Sequence, residues 1–239
     1  MAGTSPAMTI PSAPIGPPTD ATPAPRPERR AFEGAHIRLE PLTLAHAHDL
    51  YAATHGDDRE NIWRYLFIGP YPDFASFEAW VAALAQSADP LPWAVIDKSG
   101  KAVGALTLMR IDPANRVIEI GGITFGTPLQ RTTGSTEAIF LLARYIFDEL
   151  GYRRFEWKCN DLNAPSRHAA MRLGFTFEGV FRQHMIVKGR NRDTAWYSML
   201  SSEWPARRAA FETWLAPGNF DTDGRQRASL GELMGAGGL

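Results

Sequence analysis

A strand-like run joined to an amphipathic helix by small hydroxylated residues is the feature that most constrains this chain. Residues 117–125 are rich in β-branched and apolar side chains, which predicts a strand. Between Ala138 and Leu150, apolar residues recur at intervals of three and four, so we expect one helix face to pack against a sheet. Gly151 follows as a helix stop.

The connecting segment, residues 130–136, has the composition of an anion-binding loop and is called the anion loop below. A loop that enters a helix offers unpaired N–H groups and the positive end of the helix dipole, which together favour a phosphate. An ordinary turn capped by Thr or Ser would look the same, so the loop alone leaves both interpretations open. The glycine signatures of P-loop hydrolases and of dinucleotide-binding folds are absent from the sequence.

Alternating strand and helix patterns surround this segment. Downstream, Asn163 as N-cap and Gly174 as C′ residue mark both ends of a short helix. Asp73 marks the start of an upstream helix in the same way. The predicted strands are residues 37–39, 93–96, 102–110, 117–125, 154–160, 175–187 and 194–200, and two further helices are predicted near residues 44–51 and 203–215. This order predicts a mixed α/β sheet.

Composition predicts one folded domain with loose ends. Eight of the eighteen prolines lie in the first thirty residues, so we expect a disordered arm at 1–31, a domain at 32–216 and a flexible Gly-rich tail at 217–239. No secretory signal pattern and no run of eighteen apolar residues occurs, which argues against a membrane partner. The single cysteine excludes an internal disulfide and fits a cytoplasmic location.

The region 151–195 is locally basic, although the whole chain has a net charge of −1. It holds nine Lys or Arg residues against four acids. A ligand with several phosphates would be attracted to this region, while a solvated surface rich in arginine would have the same count. Nucleic acid is a poor partner because the sequence offers neither a reading helix nor stacking aromatics on one sheet.

Four motifs follow one another in a fixed order. They are Ile118-Glu119-Ile120-Gly121 with Phe125, residues 130–138, Asn163-x-x-Ser166 with Leu173-Gly174-Phe175, and Glu178-Gly179 followed by Gly189 and Asp193. With them the chain resembles the GNAT superfamily of acyl-CoA-dependent N-acetyltransferases, in the branch of the bacterial enzymes that acetylate ribosomal-protein N-termini on alanine or serine. The resemblance covers residues 32–204. It implies a mixed, mostly antiparallel central sheet of about seven strands flanked by helices.

The resemblance also implies acetyl-CoA as co-substrate, with no metal. Backbone groups of Ile123, Thr124 and Phe125 would hold the pantetheine arm, and Asn163 would contact it from the end of the following strand. The pyrophosphate would lie over the anion loop, at Gln130, Arg131, Thr132, Thr133, Gly134, Ser135 and Thr136. The chain departs from the family here, because Thr133 and Ser135 occupy positions that are usually glycine or alanine. A hydroxyl can still donate to a phosphate oxygen.

Three residues are candidates for proton transfer during direct attack of an amine on the thioester. Ser166 aligns with the residue that protonates the leaving thiolate in some relatives, but a hydroxyl at this helix position can also serve the backbone alone. Glu119 is the first candidate for the base, with a structural acid as the alternative. His184 is the second, since imidazole titrates in the right range. Cys159 is interpreted as a small buried side chain rather than as an acyl carrier.

Two classes of function follow. The first is an N-acetyltransferase that acts on a protein N-terminus or a small-molecule amine, and the second is an acyl-CoA-binding or partner-binding module of the same fold with little turnover. An aromatic segment lies where relatives form the acceptor side, as core or as cleft wall: Trp63, Tyr65, Phe67, Tyr71 and Phe74. The oligomeric state stays open, a homodimer being one option.

Overall fold

The computed structural model describes residues 16–235, and across this range eight strands form one sheet. The strands are β1 (Phe32–Glu33), β2 (Arg38–Pro41), β3 (Leu91–Ile96), β4 (Ala102–Asp112), β5 (Val117–Phe125), β6 (Arg154–Asn160), β7 (Thr176–Val187) and β8 (Arg190–Leu200). Their order in the sheet is β1-β2-β3-β4-β5-β6-β8-β7. Every neighbouring pair is antiparallel except β5 and β6, which run parallel.

The described part of the chain also holds seven α-helices, which cover both faces of the sheet. They are α1 (Ala47–Thr54), α2 (Arg59–Trp63), α3 (Phe74–Gln86), α4 (Thr133–Arg144), α5 (Ala164–Arg172), α6 (Trp204–Leu215) and α7 (Leu230–Leu233). One buried cluster joins α4 and α6 to the sheet, as in the packing of Leu142, Phe155 and Phe211. A second cluster joins α1 and α3 to the opposite face around Leu50 and Phe77.

Helix α4 carries the chain between the two parallel strands. Its N-cap is Thr132, whose Oγ1 accepts a hydrogen bond from the Ser135 N–H at 3.2 Å. The helix continues through a π-helical turn at Tyr145–Glu149, and Gly151, at φ +67°, then redirects the chain into β6. The crossover that a parallel strand pair requires is therefore this apolar helix.

A buried acid on α4 ties the helix to the beginning of the sheet. Glu137 is 4% exposed, and its carboxylate accepts the N–H groups of Ala35, His36 and Ile37 at 2.6, 2.7 and 2.9 Å. A Cβ on Gly34 would lie 2.5 Å from this carboxylate, so glycine is required there. Three charge-assisted hydrogen bonds thus hold the first turns of α4, next to the anion loop, in a fixed position.

The mixed, mostly antiparallel sheet predicted from the sequence is confirmed, with eight strands rather than about seven. The additional strand is the two-residue β1, which is too short to give an alternating pattern. Strand β8 begins at Arg190 rather than at residue 194, because the hairpin pairs Val187 with Arg190. The short helices α2 and α7 were not predicted, since neither completes two turns of apolar periodicity.

The described parts of the predicted arm and tail contact the domain. Residues 16–31 form no helix or strand, yet Ala24 N–H donates to the Pro113 carbonyl at 3.0 Å and Arg29 Nη1 donates to the Ala85 carbonyl at 2.7 Å. In the tail, Leu230 is fully buried in the core. Composition gave no sign of these contacts, because most of them use backbone carbonyls. Residues 1–15 and 236–239 lie outside the described range, and the boundaries 1–31, 32–216 and 217–239 stay predictions.

No helix in the range 16–235 is long and apolar enough to cross a membrane.

Candidate active site

The two parallel strands separate partway along the sheet. Strand β5 pairs with β6 only from Val117 to Ile120, whereas β5 continues to Phe125 and stays paired with β4. The divergence coincides with Gly121 and Gly122, and Gly122 has a φ of +57°, a conformation that favours glycine. Beyond Ile120, the edge of β5 that faces β6 has no strand partner in the described sheet. A cavity of about 1280 Å³ opens there.

At one end of the cavity lie the unpaired β5 edge, the anion loop and the starts of α4 and α5; we call this the loop end (residues 122–136 and 163–172). Local hydrogen bonds fix it. Gln130 Nε2 donates to the Phe125 carbonyl at 2.9 Å, and Thr132 Oγ1 donates to the Leu129 carbonyl at 2.7 Å. The N–H groups of Thr133 and Gly134 open the helix, and neither donates to another described residue. They are free to bind an anion.

Most of the predicted cofactor-binding residues line this cavity: Ile123, Phe125, Gln130, Arg131, Thr132, Thr133, Ser135, Thr136, Asn163 and Ser166. Thr124 and Gly134 do not line it. Thr124 lies on the other face of β5, where it is buried beside Leu50 and Phe77 of α1 and α3. Gly134 faces the core, because a Cβ there would lie 2.6 Å from Ile37 Cγ2. Its lack of a side chain is thus explained by packing rather than by ligand approach.

The start of α5 presents a hydroxyl to the cavity. Asn163 Oδ1 caps the helix by accepting the Ser166 N–H at 3.2 Å. Ser166 Oγ accepts a hydrogen bond from Trp157 Nε1 at 3.0 Å, and its own O–H is a donor that also lies near the Cys159 thiol. Cys159 also lines the cavity, and burial raises the pKa of its thiol, which keeps it protonated.

Residues outside the predicted set complete the loop end. Arg172 Nη1 donates to Thr136 Oγ1 at 3.0 Å, and the Arg172 guanidinium lies 4.9 Å from the ring centroid of Trp214. Phe220 and Gln226, from the segment predicted as a flexible tail, line the cavity beside them. No sequence motif surrounds Phe220 or Gln226, so their position beside the cavity could not be predicted from the sequence.

Four charged side chains and one histidine, each from a different strand, surround the other end, which we call the charged end (Arg110, Glu119, Lys158, His184 and Arg192). Glu119 is 3% exposed, and both of its oxygens lie 2.7 Å from Arg110 Nη1. Lys158 Nζ lies 2.8 Å from the same carboxylate. The carboxylate predicted as a base is therefore held between two cations.

The ion pairs continue across the sheet. Lys158 Nζ also lies 2.7 Å from the Glu156 carboxylate, and Arg154 bridges Glu156 at 2.6 Å and Glu178 at 2.5 Å. The hydrogen bond from Arg154 holds the pKa of Glu178 below its ordinary value. With Arg110 and Glu119, three cations face three carboxylates, so the network is neutral as a whole.

His184 also reaches this cavity. Its side chain is exposed, and Nδ1 lies 3.0 Å from Thr194 Oγ1, which leaves Nε2 without a partner among the described residues. The structure thus brings Glu119, Ser166 and His184 to one cavity. The aromatic segment divides: Tyr65 and Phe67 line the charged end, while Trp63, Tyr71 and Phe74 pack in the core.

The sequence matches the family model of the GNAT acetyltransferase domain over residues 36–176. The chain belongs to the GNAT acetyltransferase family. The family resemblance drawn from the four motifs is therefore confirmed.

Several relatives resemble this GNAT protein. A GCN5-related N-acetyltransferase from Brucella melitensis, whose crystal structure is known, is 55% identical in sequence to this chain. Their superposition covers 90% of this chain and 98% of the Brucella chain, with a TM-score of 0.88. The microcin C7 self-immunity acetyltransferase MccE, solved in complex with acetyl-CoA and AMP, is 26% identical over 70% of this chain and 93% of its own, with a TM-score of 0.61.

YdaF of Bacillus subtilis, which is named provisionally as a ribosomal N-acetyltransferase, is 32% identical over 105 residues. That match covers 44% of this chain and 57% of YdaF, so it spans little more than half of the relative. Within residues 16–235, no group of three or more His, Cys, Asp or Glu side chains is arranged to bind a metal.

Proposed function

We propose that this protein transfers the acetyl group of acetyl-CoA to a primary amine by direct attack. The separation of β5 from β6 is the observation that carries the proposal. It brings an unpaired strand edge, two helix starts and the Ser166 hydroxyl to one cavity. Each of these groups suits a different part of the reaction.

The loop end fits acetyl-CoA chemically. The free edge of β5 offers backbone donors and acceptors to the amides of a pantetheine arm, as an added strand would use them. The N–H groups of Thr133 and Gly134, at the positive end of α4, suit a pyrophosphate. Arg131 and Arg172 add positive charge at the same end of the cavity. When bound, acetyl-CoA supplies a thioester whose carbonyl carbon accepts the amine.

Ser166 is suited to protonate the departing thiolate. Because its oxygen accepts from Trp157 Nε1 and its backbone N–H is held by Asn163, the hydroxyl has a fixed position from which it can donate its proton. Cys159 plays no covalent part, since burial keeps its thiol protonated.

For the base we propose His184 in place of Glu119. Both oxygens of Glu119 are occupied by Arg110 and Lys158, so abstraction of a proton by Glu119 would require that a cation leave first. His184 Nε2 has no partner among residues 16–235, and the side chain lines the charged end of the cavity. In this account Glu119 holds the cations in place, and the imidazole or a water bound to it takes the proton of the amine.

The acceptor is a protein N-terminus or a small-molecule amine. The name of YdaF makes ribosomal proteins the first acceptors to consider, and the enzymes that the four motifs resemble make peptides with N-terminal alanine or serine the first to test. The test is thiol release from acetyl-CoA by the purified full chain with such peptides, polyamines and aminoglycosides. We expect amine-dependent release that Ser166→Ala reduces. Tight acetyl-CoA binding without thiol release for any amine would favour a binding module instead.

A further inference from the structure

Arg192 on β8 is a buried arginine at the charged end of the cavity. Arg192 is 5% exposed and lines the cavity. Nε donates to Thr194 Oγ1 at 3.3 Å, and the guanidinium lies 4.5 Å from the ring centroid of Phe67. These are its contacts with polar or aromatic groups in the described structure. No carboxylate of residues 16–235 lies within 4 Å of it.

The neighbouring charges do not compensate for it. Arg110, Lys158 and Arg154 are matched one for one by Glu119, Glu156 and Glu178, all within ion-pair distance. Arg192 therefore adds one net positive charge to a neutral network. Of its five N–H donors, one has a protein acceptor.

The contact with Phe67 does not account for this arrangement. A cation over an aromatic ring contributes about 0.5–2 kcal/mol, whereas removing a cation from water costs several kcal/mol unless an anion compensates. Buried charges in proteins are normally paired for this reason. Arg192 has no such partner among residues 16–235, and it lines a cavity. We therefore expect the compensating anion to come from a bound ligand.

We propose that Arg192 binds an oxyanion carried by the amine acceptor, a carboxylate close to the amine, and thereby selects acidic acceptors. The inference rests on the proposed acetyl transfer. The planar guanidinium fork matches a carboxylate with two parallel hydrogen bonds. The phosphates of acetyl-CoA are not the ligand of Arg192, because their expected site, with Arg131 and Arg172, lies at the loop end. A phosphate on the acceptor would present the same chemistry, and the experiment distinguishes the two.

The experiment compares acceptors with and without the anion, and each rate is corrected for the fraction of unprotonated amine, because loss of the negative charge also lowers the pKa of the neighbouring amine. Amino acids and short peptides with a free carboxylate are compared with their amides, and O-phosphoethanolamine is compared with ethanolamine, by kcat/KM for thiol release. We expect the wild type to favour one anionic series by at least about thirtyfold, the effect of a buried, hydrogen-bonded charge pair. If the wild type prefers the anionic acceptor only in the phosphate series, Arg192 still binds an oxyanion, but this oxyanion is a phosphate rather than a carboxylate.

Arg192→Gln should bring this ratio close to one, and Arg192→Lys should restore it in part, since a charge remains without the fork. The matched control is Arg190→Gln, two positions away on an exposed part of the hairpin and outside the cavity wall. It should keep the wild-type ratio. Equal melting temperatures and equal acetyl-CoA affinities will show that the variants are folded.

Thiol release with equal rates for anionic and neutral acceptors would overturn this inference and leave the proposed function intact. A wild-type preference that persists in Arg192→Gln would overturn it as well. The absence of thiol release with every amine would refute the proposed function, and this inference with it.

Discussion

The loop end and the charged end of one cavity are formed in opposite ways. At the loop end the binding groups are backbone N–H groups and small hydroxyls, held by hydrogen bonds between near neighbours such as Thr132 and Ser135. At the charged end they are long side chains that meet from separate strands, such as Lys158 and Glu119. Backbone geometry tolerates side-chain change, so the loop end suits an invariant ligand. Side-chain geometry changes with each substitution, so the charged end suits a variable one.

The largest effect we expect is on stability, from Lys158→Met at the charged end. The change leaves the Glu119 and Glu156 carboxylates without their shared cation, so the free energy of unfolding should fall by about 3–5 kcal/mol, as for other broken buried pairs. Urea denaturation at neutral pH measures it. Arg208→Gln, which removes exposed pairs with Asp148 and Glu212, should cost about 1 kcal/mol or less. Equal losses of unfolding free energy in the two variants would mean that the buried ion pairs stabilise the protein no more than the exposed pairs do.

The next effect is on rate. His184→Asn should lower kcat by roughly 10²-fold or more, the usual contribution of a positioned base. The KM for acetyl-CoA should change little, because His184 lies away from the loop end. Glu119→Gln should mainly lower stability. A normal rate for His184→Asn with a large loss for Glu119→Gln would return the base role to Glu119.

A smaller effect, on the affinity for acetyl-CoA, is expected when one positive charge is reversed at one end of the cavity and not at the other. Arg131→Glu places a negative charge beside the expected pyrophosphate and should weaken acetyl-CoA binding roughly fivefold, since reversing an exposed charge changes the binding energy by about 1 kcal/mol. Arg64→Glu makes the same change among the residues that line the cavity near Tyr65 and Phe67, and should leave this affinity unchanged. Titration calorimetry measures both. Equal effects would contradict the division of the cavity.

Two helix caps give a matched comparison of still smaller effect. Thr132→Ala at α4 and Asp73→Ala at α3 each remove a side-chain cap, and each should lower the free energy of unfolding by about 1 kcal/mol. Only Thr132→Ala should also weaken acetyl-CoA binding, because Asp73 lies outside the cavity wall. If both variants kept wild-type affinity, the start of α4 would not be part of the binding site.

The smallest effect concerns pH. The hydrogen bond from Arg154 lowers the pKa of Glu178 below 4.5 in the folded protein, so the stability from this pair is present above pH 4.5 and is lost as the pH falls through the lowered value. Glu178→Gln should therefore be less stable than the wild type at neutral pH, by about 1 kcal/mol at most for a partly exposed pair. The difference should vanish in acid. A constant difference across the pH range would point to packing instead.

The two ends also differ in what the sequence could predict. The stop at Gly151 and the capped start of α5 at Asn163 depend on neighbours along the chain, so local patterns were enough. The meeting of Arg192 with Phe67, or of Lys158 with Glu119, depends on strand order and register. A single sequence carries no local signal for either. For the same reason Gly134 was assigned to the ligand, although its neighbour Ile37 comes from the other end of the fold.

Hydrogen–deuterium exchange with and without acetyl-CoA tests the central claim most directly, because it reports on both ends of the cavity at once. We predict that acetyl-CoA alone slows exchange at the loop end, in residues 122–136 and 163–172, and leaves residues 58–67 and 183–192 unchanged. Protection of 58–67 and 183–192 should appear only after a reactive amine or its acetylated product is added. Protection by acetyl-CoA at the charged end, or none at the loop end, would contradict the account.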